Sequence, residues 1–305
     1  MLDGWVRFGW QGMSAEMPAE WELAGAPKTH DPWEGYLRLD DANQPRLELK
    51  WSRAQRKFNL EKTADQYLNG IQKTYRKQIG KIEIRRDLRL IPKSGKYAAF
   101  YENKEALFFS WKGGYRAFGA VMRCERCCRA VMIQAIGPPS GENLRQTALQ
   151  IFSSFRNYPE NGMNLWTAYG FEVETPRRFR LEKTQFMNGY LLFSFTDGAR
   201  RIAVERYGLA DALLENASLD DWFRGAYRKE IKGSVLAADP VEEMDGAYRL
   251  WDVRFQKPWE RHYRRPTTRG YFWSDEKTNR IYVARAIGKG PLERWIRPIA
   301  ESMRG

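Results

Sequence analysis

Cys124 and Cys127, in the string RCERCCR, have the CxxC spacing that can offer two thiolates to zinc or the two sulfurs of a redox pair. A structural zinc takes four ligands, and no second pair of Cys or His at matching spacing completes the set. Three readings of Cys124 and Cys127 stay open: an incidental turn, a metal shared across a dimer, and a redox thiol. An internal repeat, described below, sets Cys124, Cys127 and Cys128 against Asp275, Thr278 and Asn279, so the same turn is made without cysteine.

Bases for catalysis are few. His30 and His262 are the only histidines and fall in unmatched loops, which gives no histidine triad or mononuclear metal set. The paired acids Asp40 with Asp41, Asp220 with Asp221 and Glu242 with Glu243 sit at a turn, a helix start and a loop, where solvation or capping accounts for them. GPPSGEN and GKGP place glycine near helix starts without a Walker or dinucleotide fingerprint, and helix capping is sufficient for both. No catalytic residue and no cofactor is expected.

The strongest chemical signal is FQKPWERHYRRPTTRGYFW, which interleaves Lys257, Arg261, Arg264, Arg265 and Arg269 with Trp259 and Tyr263. Cations beside aromatics can hold phosphates and stack on bases, so these seven are the anion-binding candidates. Period-two alternation in a solvated hairpin, with the aromatics turned into a sheet, explains the same composition. RAQRKF and KTYRKQIGK add a weaker basic surface.

The elements that must position these residues come twice. MPAEWEL from Met17 matches TPRRFRL from Thr175, GYL at Gly35 matches GYL at Gly189, and RLEL from Arg46 matches RIAV from Arg201. DQYLNG from Asp65 matches DDWFRG from Asp220, GKY at Gly95 matches GAY at Gly246, and RAVMIQAIG from Arg129 matches RIYVARAIG from Arg280. The order is kept while the displacement drifts from 158 to 148 residues, as small loop deletions would produce.

Capping-box spacing at Thr63/Gln66 and Ser218/Asp221 predicts helices running to about residue 78 and about residue 231. Terminal helices carry Leu144, Ala148, Ile151 and Phe155 on one face, then Leu292, Ile296, Ile299 and Met303 in the matching positions. Short β-branched or aromatic runs at 35–40, 46–51, 97–101, 106–111, 115–123 and 129–136 predict antiparallel strands. The expected fold class is α+β: two similar domains, each an antiparallel sheet flanked by helices, over 1–160 and 161–305.

A chain of 305 residues suits two domains, and 43% hydrophobic residues suffice for their cores. The formal charge of +13 is uneven: residues 51–100 carry 13 basic and 4 acidic side chains, residues 201–250 carry 7 and 10. Such polarity favours anionic partners on some surfaces. No signal-peptide pattern and no run of membrane-span length is present, and three clustered cysteines do not make a secreted framework. A cytoplasmic protein with no membrane span is expected.

The openings GMSAEMPAEWEL and YGFEVETPRRFRL, with a hairpin, a helix, more strands and a closing helix, resemble the PsbP/Mog1-like fold. The resemblance covers most of each half and implies a binding module or accessory subunit without a shared catalytic site. The expected function is therefore non-enzymatic binding through protein–protein contacts. The alternatives are a nucleic-acid or polyanion binder using the basic aromatic loop, and an enzyme with a site at an inter-domain cleft.

Overall fold

The computed structural model describes residues 4–305 apart from 26, 28–29, 56–57, 80–81, 160, 229–235, 241–246 and 253–266. The chain divides into two compact units, Met1–Gly170 and Phe171–Gly305. The first contains β1 (Trp5–Trp10), β2 (Met13–Pro18), β3 (Glu22–Leu23), β4 (Gly35–Asp40), β5 (Pro45–Arg53), α1 (Leu60–Ile79), β6 (Glu83–Arg85), β7 (Lys104–Lys112), β8 (Arg116–Cys124), β9 (Arg129–Gly137), α2 (Leu144–Ser154) and β10 (Met163–Ala168). β3 to β9 form a seven-stranded antiparallel sheet in the order β3-β4-β5-β9-β8-β7-β6.

Alternation along the strands decides the two faces. Phe109, Trp111, Ala117, Val121 and Ile136 pack with Ala64, Leu68 and Ile71 of α1. The opposite parity, including Leu47, Leu49, Val131 and Ile133, is also buried, on the side where α2 packs against β8 and β9. The face of α2 formed by Leu144, Ala148 and Ile151 is wholly buried, as its spacing predicts; Phe152 joins it, and Phe155, expected on that face, is buried as the C-cap just past the helix.

The second unit contains β11 (Phe171–Pro176), β12 (Arg180–Met187), β13 (Tyr190–Thr196), β14 (Arg201–Gly208), α3 (Ala210–Leu213), α4 (Leu219–Ala226), β15 (Leu236–Pro240), β16 (Ala247–Asp252), β17 (Thr267–Asp275), β18 (Arg280–Gly288) and α5 (Glu293–Ser302). Its sheet runs β12-β13-β14-β18-β17-β16-β15, the same order as in the first unit. Leu47 faces Ala135 across β5 and β9, and Ile202 faces Ala286 across β14 and β18, in keeping with displacements of 155 and 151.

Hydrogen bonds repeat at the atomic level. Glu16 N–H donates to Ser154 Oγ and Glu174 N–H to Ser302 Oγ, while Ser14 bridges Arg156 and Glu172 bridges Arg304. These contacts pair residues displaced by 158 with residues displaced by 148, so both ends of each copy close in the same way. The duplication is thus carried by backbone pairing as well as by sequence. β10 corresponds by the repeat to β1, yet it packs on β1 within the first unit, where Gly9 N–H donates to Thr167 Oγ1 and Trp10 meets Trp166 edge to face.

Several expectations need correction. Strand outweighs helix in both units, so the balance is more β than the α+β reading implied. Residues 97–101 lie in a 3-10 turn, Gly95–Tyr101, rather than a strand; it buries Phe100 and lets Tyr101 OH donate to Ile91 O. α1 starts a turn before Thr63 because Asn59 caps it, its Oδ1 accepting from Lys62 N–H. Ser218 does cap α4, accepting from Asp221 N–H at 3.1 Å.

Gly246 lies outside the described residues, but the matching of GKY with GAY fails at Ala247. Met122 faces Ala106 and Trp273 faces Ala247, so β7 and β16 are related by a displacement of 141 while their neighbours β8 and β17 keep 151. The first unit joins β7 to β8 through residues 113–115, and the second joins β16 to β17 through residues 253–266. The basic aromatic segment thus falls largely between β16 and β17, outside the described residues.

Candidate functional site

α1 lies over β7 and β8, leaving the β4, β5 and β9 half of the same sheet face beside it. A groove of about 620 Å³ lies there, between α1 and the strands. Its floor is polar because it is not covered. Glu48 and Lys50 project from β5 on one face, opposite Gln134 and Met132 of β9. Phe58, Tyr67 and Ile71 supply apolar walls, and Gly70 of α1 has open space where a Cβ would stand.

Glu48 is held in place from two sides. Its Oε1 accepts from Tyr36 OH at 2.9 Å, and its Oε2 accepts from Gln134 Nε2 at 2.7 Å. Gln134, itself buried, uses its Oε1 to accept from Trp111 Nε1 at 3.1 Å. Partial burial and the neighbouring carboxylate push the Tyr36 phenol above its ordinary range. The result is a fixed acceptor, Glu48, with the Lys50 ammonium two residues away on the same strand face.

The matching half of the second unit is filled. Glu205 of β14 is 3% exposed and accepts from Arg285 of β18 at 2.7 Å. Its other oxygen accepts from Tyr190 OH and Tyr207 OH, and Tyr207 OH meets Tyr227 OH at 2.8 Å. The Arg285 guanidinium stacks over the Tyr227 ring at 4.2 Å. Burial, followed by the Glu205 charge, raises all three phenols above the ordinary value of 10.0.

The sign of the pH effect follows. A raised folded-state pKa stabilises fully below the unfolded value near 10.0, and that contribution is lost as pH rises beyond it, because the unfolded chain releases its protons first. Urea midpoints are expected to fall from about pH 9 to about pH 11, with a shallower fall for Tyr190→Phe. Equal slopes for both proteins would show that Tyr190 is not linked to folding.

Sequence reasoning missed this cluster. The signal was there in β18, where Arg285 occupies the parity that Ile281 and Val283 devote to the core. A charged residue in an apolar alternation marks a buried partner of opposite charge.

Of the anion-binding candidates, Lys257, Trp259, Arg261, Tyr263, Arg264 and Arg265 lie outside the described residues, as do His262, Glu242 and Glu243. Arg269 lies in β17, half-buried, and donates to the Thr268 carbonyl. Asp41 accepts from the amides of Asn43 and Gln44 in a turn, and Asp40 pairs with Arg38 at 2.7 Å. Asn143 of GPPSGEN caps α2, whereas α5, after GKGP, has no side-chain cap.

The cysteines occupy the β8 to β9 turn. Cys128 has φ 51° and Asn279 has φ 53° at the matching position, so the turn geometry belongs to the repeat and not to the thiols. Cys124 is buried, its Sγ accepting from Cys127 N–H at 3.3 Å. The side-chain contact between the two lowers the Cys124 thiol below its ordinary value and raises that of Cys127 above it. Lys104, opposite Cys124 in β7, is drawn down to about 8 by burial. Among the described residues, no three Cys, His, Asp or Glu side chains are gathered as a metal site, and no helix is long and apolar enough to cross a membrane.

In comparisons with known proteins, no family model matches the chain and no curated protein matches it.

Proposed function

We propose that this chain is a non-enzymatic binding protein that holds a segment of a partner protein in the first unit's groove beside α1. The observation that carries the reading is the pairing of Glu48 and Lys50 on an open floor between apolar walls. A polypeptide offers both backbone donors and acceptors and alternating side chains, which suits an acceptor and a donor set two residues apart. A polyanion would gain little there, since Glu48 opposes the attraction of Lys50. The PsbP/Mog1-like resemblance agrees with a binding role. The polyanion reading of the basic aromatic segment rests on its composition.

Gly70→Trp gives the test, because the side chain would enter the groove while the helix gains a residue better suited to it than glycine. Peptides selected on the wild type from a random display library should lose at least about tenfold in affinity for Gly70→Trp, the loss of about 1.4 kcal/mol. A library that enriches no peptide for wild type over Gly70→Trp would remove the groove from the proposal.

A further inference from the structure

At the other end of the first unit's sheet, we infer a second site, independent of the groove: a pocket for a small phosphorylated molecule with an apolar body, formed by β6, the β7–β8 hairpin and the start of α2. The strand register puts its residues on one face. Glu83 faces Lys112 and Lys112 faces Arg116, forming one cross-strand row. Arg85, Ser110 and Phe118 form the next row on the same side. The segment after β6 adds Arg89 between Leu88 and Leu90, and the first turn of α2 adds Arg145. Together they enclose about 340 Å³.

Five cations and one carboxylate, Glu83, line this space. Their placement is costly in two ways. Lys112 stands directly opposite Arg116, and like charges in that relation destabilise a strand pair. Arg145 lies in the first turn of α2, where the helix dipole disfavours a cation. The nearby hydrogen bonds do not remove the charge: Arg116 donates to the Glu142 main-chain carbonyl, and Arg145 donates weakly to that of Arg89 at 3.5 Å. The Glu142 carboxylate is engaged elsewhere, with Arg46 at 2.6 Å. An entering anion would offset both penalties at once.

The fold does not demand two of these cations, Arg116 and Arg145. Thr267 takes the place of Arg116 in the second unit, where it faces Gly288 as Arg116 faces Gly137. Glu293 takes the place of Arg145 and accepts from Tyr271 OH. At these two positions the charge belongs to this copy and not to the architecture.

Ligand chemistry follows from the lining. Arginine forks match phosphate oxygens in bidentate geometry. Leu88, Leu90 and Phe118 would contact a flat or aliphatic body. A volume of about 340 Å³ falls within the range of roughly 300–1,000 Å³ typical of small-molecule sites. A nucleoside phosphate has both parts.

Calorimetry with ADP, inorganic tripolyphosphate and adenosine tests the inference on the full chain. ADP should bind most tightly of the three, and its affinity should weaken as salt rises. Lys112→Gln and Arg85→Gln, both at exposed side chains, should each lower ADP affinity by at least about tenfold, the scale of one charge-assisted hydrogen bond. Unchanged melting of these variants would show that the loss is one of binding and not of folding. The inference is overturned by ADP binding no better than adenosine or than tripolyphosphate, or by wild-type affinity in both variants.

Discussion

Replacing Arg285 by methionine is expected to lower stability by about 3–5 kcal/mol, measured by urea unfolding at neutral pH. The guanidinium is the only cation bonded to Glu205 among the described residues, and the carboxylate is 3% exposed. Tyr190 and Tyr207 would still donate to it, but neutral donors do not cancel a buried charge. Methionine keeps much of the side-chain length over the Tyr227 ring, so the loss isolates the charge more than the packing.

The companion double variant, Glu205→Leu with Arg285→Met, should recover most of that stability. It leaves no ion without a partner, and apolar replacement of a buried ion pair is often neutral or favourable. A loss below about 1 kcal/mol for Arg285→Met would mean that water or another group reaches Glu205, and that the pair behaves as a surface bridge.

Phe272→Ala is expected to cost about 3–5 kcal/mol by the same measurement. Its ring is fully buried in β17, stacked on Phe223 of α4 at 4.3 Å and on Tyr248 of β16 at 5.2 Å. Truncation removes the middle of a three-ring stack, so Phe223 and Tyr248 both lose a face. α4 is only eight residues long and too short to be stable alone, so its position depends on this contact. The first unit has Val121 at the same register position, under a helix of 20 residues. Val121→Ala should therefore cost less. Equal losses at the two positions would argue that the aromatic stack adds nothing beyond ordinary burial.

The repeat and most of the strands were legible because they rest on local rules. Alternation in 35–40 and 129–136, and helical spacing in Leu144, Ala148, Ile151 and Phe155, depend on side-chain direction along one element. The duplication was legible because matched pieces keep their order even where loops change length. Residues 97–101 were misread because their strand-like composition is shared by a 3-10 turn whose form depends on where Phe100 and Tyr101 find partners. The match of GKY to GAY failed for a related reason: three-residue likeness carries no register, and only strand pairing shows that β7 and β16 are displaced by 141.

The candidate sites were less legible. Glu48, Lys50 and Gln134 are common residues far apart in sequence, and nothing local marks them as one floor. The basic pocket was visible only as excess charge over residues 51–100, since Arg116 and Arg145 come from other segments. By itself, the sequence determined the duplication, the faces of the strands and terminal helices, and the absence of a familiar catalytic spacing, all of which follow from patterns within an element or between two copies of it. Only the tertiary structure decided that one copy opens a polar groove where the other buries Glu205 with Arg285, because strand register and helix placement are settled by contacts between residues some 80 positions apart.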